Sequence, residues 1–160
     1  MTTLESNGMS SARRMSARRE DFRFWTEEKL RNADTDQFRH VNNAAIATFL
    51  EAARMEIVAP PAVRKWMDGA NLAVVRLLIE FGAELRFPGY VSVGSRVVDV
   101  GRTSFRVRQG LFRGADGSSC AAAEAVCVLV HGETGRPHPV APELRAYLLE
   151  QHDDATEASR

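Results

Sequence analysis

Asp34-Thr-Asp-Gln-Phe-Arg-His-Val-Asn-Asn43, followed at once by Ala44-Ala-Ile-Ala-Thr-Phe-Leu-Glu-Ala-Ala-Arg-Met-Glu-Ile-Val58, decides how this 160-residue chain is read. The second part has the periodicity of a helix. Ile46, Phe49, Leu50, Ala53 and Ile57 recur at steps of three and four, which gathers them into one apolar stripe. Asn42 or Asn43 suits the N-cap, because an Asn side chain can accept from an unpaired N–H of the first turn. Pro60-Pro61 ends the helix, since the residue before a proline avoids helical backbone. Glu51 and Arg54, three apart, are expected on the polar side as an ion pair. The first part sets two carboxylates, a histidine and two amides at the mouth of this helix. A helix N-terminus offers unpaired N–H groups and a partial positive charge, and such donors steady an oxyanion. A carboxylate beside them is a base or nucleophile for attack on a carbonyl.

Further along the chain, Ala62 to Met67 reads as a short second helix that stops at Gly69. Leu72 to Leu85 is a long β-type run punctuated at Gly82, and Pro88-Gly89 marks a turn. Val91 to Val100 and Thr103 to Phe112 read as strands, with Gly101 between them. Gly114-Ala-Asp-Gly117 is a hairpin loop. Ser119 to Val130 is almost continuously apolar, as in a strand covered on both faces. Pro142 to Gln151 predicts a closing helix. An early strand, one long helix and then four strands in an antiparallel meander predict an α+β domain, its helix wrapped by a curved sheet. Residues 1–20, rich in Ser and Arg, read as a disordered tail, 21–151 as the folded domain and 152–160 as a frayed end.

Lys plus Arg equals Asp plus Glu at 21 each, so no overall field draws the protein to nucleic acid or to an anionic membrane. No apolar run approaches the roughly 18 residues of a membrane helix, and residues 1–20 lack the apolar core of a secretory signal. Cys120 and Cys127 are seven apart in one strand. That odd spacing predicts opposite faces and a separation of about 23 Å at about 3.3 Å per residue, too far for a disulfide. Two free thiols, read as buried apolar filler, suit a reducing cytoplasm. His40, His131, His138 and His152 have no metal-ligand spacing with the cysteines.

Asp34-Thr-Asp36, His40-Val-Asn-Asn43 and Phe49-Leu-Glu51-Ala-Ala-Arg54 resemble the signature of the 4-hydroxybenzoyl-CoA thioesterase-like group of hotdog-fold proteins. Phe87-Pro88-Gly89, Val93-Gly94, Gly101-Arg102-Thr103-Ser104-Phe105, Gly135-Arg136-Pro137 and Pro142-Glu-Leu-Arg145 follow in the order of that group. The resemblance implies a five-stranded antiparallel sheet wrapped around one long central helix. It implies a homodimer joined edge to edge, often paired again into a homotetramer. It implies hydrolysis of an acyl-CoA thioester to free acid and CoA, without metal or organic cofactor.

Carried over residue by residue, Asp36 is the catalytic base or nucleophile, and N–H groups around Asn42 and Asn43 hold the oxyanion. His40 orients substrate, tunes Asp36 or holds the loop. Arg102 pairs with a CoA phosphate, with Thr103 and Ser104 beside it. Phe38 lines the acyl pocket, with Phe49 and Phe81 as further candidates. Asp34 is expected to organise the loop, and Glu51 is either half of an ion pair or a second carboxylate. One departure stands out: many relatives carry Gly immediately before the motif's His, where this chain has Arg39. Two alternatives share the fold, namely hydrolysis of an acyl group on a carrier protein and a non-catalytic acyl-CoA-binding module.

Overall fold

A computed structural model describes residues 15–150. In chain order the elements are β1 (Phe24–Lys29), α1 (Asn43–Ile57), α2 (Pro61–Trp66), β2 (Ala70–Phe81), β3 (Tyr90–Val100), β4 (Ser104–Arg113), β5 (Ser119–His131) and α3 (Pro142–Glu150). Asn42 caps α1: its side-chain oxygen accepts from the Ala44 N–H at 2.8 Å. Ile46, Phe49, Leu50, Ala53 and Ile57 are all buried, so the stripe read from the sequence is the face that α1 lays on the sheet. Each large side chain there contributes roughly 1.5–3 kcal/mol by leaving water. The five strands run in the order β1-β3-β4-β5-β2, every neighbouring pair antiparallel. With α1 across it, this is the hotdog architecture.

Three sequence expectations change. Only β3, β4 and β5 form a meander; β2 pairs with β5, and β1 takes the place beside β3. Alternation of residue types identifies a strand but not its neighbour, and the apolar β5 has sheet on both sides. The two cysteines do not face opposite ways. Leu111 pairs with Ala121 and Phe112 with Ser119, which leaves Cys120 as the extra residue of a bulge. The bulge breaks the parity, so Cys120 joins the buried cluster of Ile46 and Phe49, and Cys127 lies in the core beside Ile57; both thiols are free. Arg54 is not on the polar side. It lies four after Leu50 and three before Ile57, which is the buried face, and only 4% of it is exposed. Its Nη1 donates to Gln109 Oε1 at 2.8 Å, and Gln109 Nε2 donates to Leu50 O and Ser95 Oγ, both at 2.9 Å. A polar pin therefore ties α1 to β3 and β4.

Residues 15–23, part of which was expected in the N-terminal tail, form a strap across the face of the sheet opposite α1. Gly94 and Gly110 are cross-strand partners on that face. A Cβ at either would come within 2.7 Å of Phe22, so the glycine pair makes the saddle in which Phe22 sits. Phe22 meets Phe112 and Trp25 edge-on, and the Arg19 guanidinium lies 4.3 Å above the Trp25 ring. The remainder of that tail, 1–14, and the C-terminal 151–160 lie outside the described residues. At the other end of the sheet, Arg145 of α3 donates to the carbonyls of Val100 (2.5 Å) and Gly101 (2.7 Å). Among the described residues no helix is long and apolar enough to cross a membrane.

Candidate active site

The loop between β1 and α1 is built around its two aspartates. Asp34 is 5% exposed. Its carboxylate accepts from the Arg31 N–H (2.8 Å) and from Arg31 Nη2 (2.7 Å), and its carbonyl accepts from the Asn42 N–H (2.8 Å). Hydrogen bonding to Arg31 holds the Asp34 carboxyl below the usual range. Asp34 thus fastens the loop to the start of α1, the organising role expected for it.

Asp36 closes a tight turn. Its N–H donates to His40 O at 2.8 Å, and its carbonyl accepts from the Arg39 N–H at 3.0 Å. Carboxylate oxygen Oδ1 accepts from the N–H groups of Phe38 (2.8 Å) and His40 (3.1 Å). Oδ2 has no hydrogen-bond donor among the described residues. The turn requires left-handed backbone at Arg39, whose φ is +62°. That is a conformation glycine takes without strain, and here arginine adopts it.

His40 bridges to Arg86, and the Val41 N–H donates to Leu85 O at 2.8 Å, so the segment after β2 braces the loop. His40 Nε2 lies 2.7 Å from Arg86 Nη2 and 3.1 Å from Glu84 Oε2. One nitrogen cannot accept from the arginine and donate to the glutamate. A guanidinium is donor only and keeps its protons, so the Arg86 contact asks Nε2 to accept where the Glu84 contact asks it to donate. Glu84 also pairs with Arg86, at 3.2 Å.

At the mouth of α1 the Asn42 side chain takes the Ala44 N–H, and the Asn42 carbonyl takes the Ile46 N–H at 3.1 Å. The Asn43 N–H has no acceptor among the described residues. A cavity of about 160 Å³ gathers Asp36, His40, Asn43, Phe81, Glu84 and Cys120 in its walls. Three residues predicted from one short motif thus meet in a single crevice. A carboxylate with one pinned and one open oxygen, set beside an open helix N–H, can attack a carbonyl carbon and hold the resulting oxyanion. Among the described residues no group of His, Cys, Asp and Glu could hold a metal ion.

The thioesterase-like superfamily model matches residues 30–148. The chain belongs to this superfamily. Thioester hydrolysis is the activity class that goes with this membership. No curated protein matches the chain. Among solved structures, this thioesterase-like chain is similar to the PA5185 protein of Pseudomonas aeruginosa, at 25% identity and a TM-score of 0.73 over 83% of this chain and 94% of that one. It is similar to a thioesterase complexed with coenzyme A and Zn from Thermus thermophilus, at 27% identity and a TM-score of 0.70 over 81% and 95%. The probable thioesterase YbaW of Escherichia coli shares the fold, at 24% identity and a TM-score of 0.69 over 81% and 98%.

Other sequence candidates of this thioesterase-like chain fall elsewhere. Asn42 spends its side-chain oxygen on the helix cap. Phe49 is buried in the core, Phe81 lines the cavity and Phe38 is 67% exposed. Glu51 is exposed and does not line the cavity. Arg102, Thr103 and Ser104 lie at the opposite end of the sheet. Ser104 pairs with Val128, eight residues along β5 from Cys120 in the cavity wall, or about 26 Å at about 3.3 Å per residue. Within one chain they do not meet Asp36. Glu84, Arg86 and Cys120 line or brace the site without any local sequence signal. They are brought in by the His40–Arg86 bridge and the β5 bulge, both products of tertiary pairing.

Proposed function

We propose that the chain hydrolyses an acyl-CoA thioester in the cavity of Asp36. The observation that carries this reading is that Asp36, with one carboxylate oxygen free of donors, and Asn43, whose N–H is uncommitted among the described residues, line one crevice. Asp36 either attacks the thioester carbonyl, giving a mixed anhydride that water then opens, or takes a proton from the water that attacks. In both routes the carbonyl oxygen gathers negative charge against the Asn43 N–H and the positive end of α1. The C–S bond breaks and CoA leaves as thiolate, so no strong general acid is needed. His40, braced by Arg86, keeps the turn that aims Asp36. Phe38 and Phe81 offer apolar surface to the acyl group.

The same reading calls for a second copy on the edge of β2. That strand has one neighbour, β5, and exposes Val74, Val75, Leu77, Leu78 and Phe81. Two copies related by a twofold axis would pair their β2 strands antiparallel, which sets the Ala70 end of one against the Phe81 end of the other. The Ala70 end lies near Thr103, because Ala70 pairs with His131 and the Leu129 N–H donates to Thr103 O. Arg102, Thr103 and Ser104 of the second copy would thereby approach the Asp36 cavity and meet the CoA phosphates. A half-site also accounts for a cavity well below the roughly 300–1000 Å³ of small-molecule sites. The turn that Arg39 completes weakens the case for a non-catalytic module. The two buried free thiols support a cytoplasmic setting.

The test is thiol release from a panel of acyl-CoAs by the wild type and Asp36→Asn. The expected result is turnover of at least one substrate and a loss of at least about 100-fold in the variant. No turnover on any substrate, or full activity of Asp36→Ala, would overturn the reading.

A further inference from the structure

The strap of residues 15–23 lies outside the matched residues 30–148, and between it and the sheet is a cavity of about 580 Å³. This is far larger than the Asp36 cavity and lies on the other face of the sheet. Its floor has an unusual charge arrangement: Arg96 of β3 and Arg108 of β4 are direct cross-strand partners. Like charges so placed repel, and a sheet accommodates them best when something negative lies between them. The strap adds Arg18 from above. Asp21 is the only carboxylate among the described residues of the cavity wall, and it is engaged with Arg18 at 2.9 Å. Arg108 has Glu124 at 3.9 Å, shared with Arg106 at 4.0 Å, and Arg18 has Glu20 at 3.4 Å. No carboxylate among the described residues lies within 4.0 Å of Arg96, although Asp21 is near enough for Arg96 to help hold its carboxyl below the usual range. The wall thus draws Arg18 from the strap and Arg96 and Arg108 from the sheet, with Asp21 as the carboxylate of the wall and Glu20 and Glu124 as further partners of Arg18 and Arg108. Phe22 and Ala122 supply apolar surface beside them.

We propose that this cavity between strap and sheet binds a small phosphorylated molecule, its phosphate oxygens shared by Arg96 and Arg108 below and Arg18 above. Guanidinium forks match phosphate oxygens in pairs, and a phosphate offers enough acceptors for several forks where a single carboxylate serves one. The volume lies within the range of small-molecule sites, about 300–1000 Å³. The apolar wall suits a flat organic part attached to the phosphates. The bound molecule joins the strap to the sheet, because its ligands come from both. The site is independent of the chemistry at Asp36.

The probe is ADP, titrated calorimetrically into the full chain at low salt, with adenosine as the control. Saturable ADP binding is expected, with adenosine at least tenfold weaker. Arg96→Gln and Arg108→Gln should each weaken ADP at least tenfold, while Asp36→Asn binds it as the wild type does. ADP should also slow tryptic cleavage after Arg18 and Arg19 in the wild type, a readout that needs no variant. Arg18→Gln, which leaves the sheet untouched, replaces either sheet variant that fails to fold. Absence of ADP binding, equal binding of adenosine, or an affinity indifferent to the arginine changes would overturn the proposal. An inactive Asp36 site with intact ADP binding would leave it standing.

Discussion

Arg39 shows a local backbone demand met by a residue that does not favour it. The Asp36 turn needs φ near +60° at this position, and a residue with a Cβ adopts it at a cost of roughly 1–2 kcal/mol. Arg39→Gly is therefore expected to stabilise the fold by about 1 kcal/mol, read as a higher urea midpoint, while Arg39→Val lowers it. Asp34 behaves oppositely, since its worth depends on charge. Its folded pKa lies below the roughly 3.9 of a free Asp. Its contribution is therefore fully present above that value and fades as pH falls through the folded pKa. Asp34→Asn is expected to cost about 1–3 kcal/mol at neutral pH, with the gap in Tm to wild type closing below about pH 4. A gap that stays constant from pH 7 to pH 3 would show that the carboxylate's ionisation is irrelevant. That Asp36, His40 and Asn43 share one cavity was legible because one short motif holds all three. Arg54 was also legible in hindsight, since adding four to Leu50 puts it on the apolar stripe. Glu84 and Arg86 were not, because only a long-range bridge brings them to His40.

Elements were read with greater success than their neighbours were. The boundaries of α1 and of β3, β4 and β5 follow from periodicity, capping and turn residues, all of which act locally. The exchange that puts β2 beside β5 depends on which edges find partners, and no window of sequence contains that information. The bulge at Cys120 was hidden for a related reason, since one extra residue reverses the parity on which a strand reading relies. The exposed edge of β2 is the element with most to explain. Val75, 64% exposed, sits at its register shift. A lysine there resists strand pairing, so if two copies join through β2 as proposed, Val75→Lys is expected to raise the dissociation constant of that dimer at least tenfold, about 1.4 kcal/mol, with an unchanged circular dichroism spectrum. Light scattering on size-exclusion peaks decides this, and equal masses for both proteins would rule β2 out as the joining edge.

At the scale of the molecule, the two faces of the sheet have separate occupations. The α1 face carries the core and the Asp36 cavity, and the opposite face carries the strap and its arginines. If Arg102 and its neighbours complete the site from a second copy, activity per chain falls on dilution through the dimer's dissociation. Constant activity per chain down to concentrations where only single chains remain would place the whole site within one chain. The saddle under Phe22 has a consequence for descent. Gly94 and Phe22 are coupled, because a methyl group at Gly94 would run into the ring, whereas Gly110 is confined by Ala17 and Phe112 as well as by Phe22. A lineage that sheds its first two dozen residues is expected to be released from that constraint at Gly94, while Phe112 still crowds Gly110.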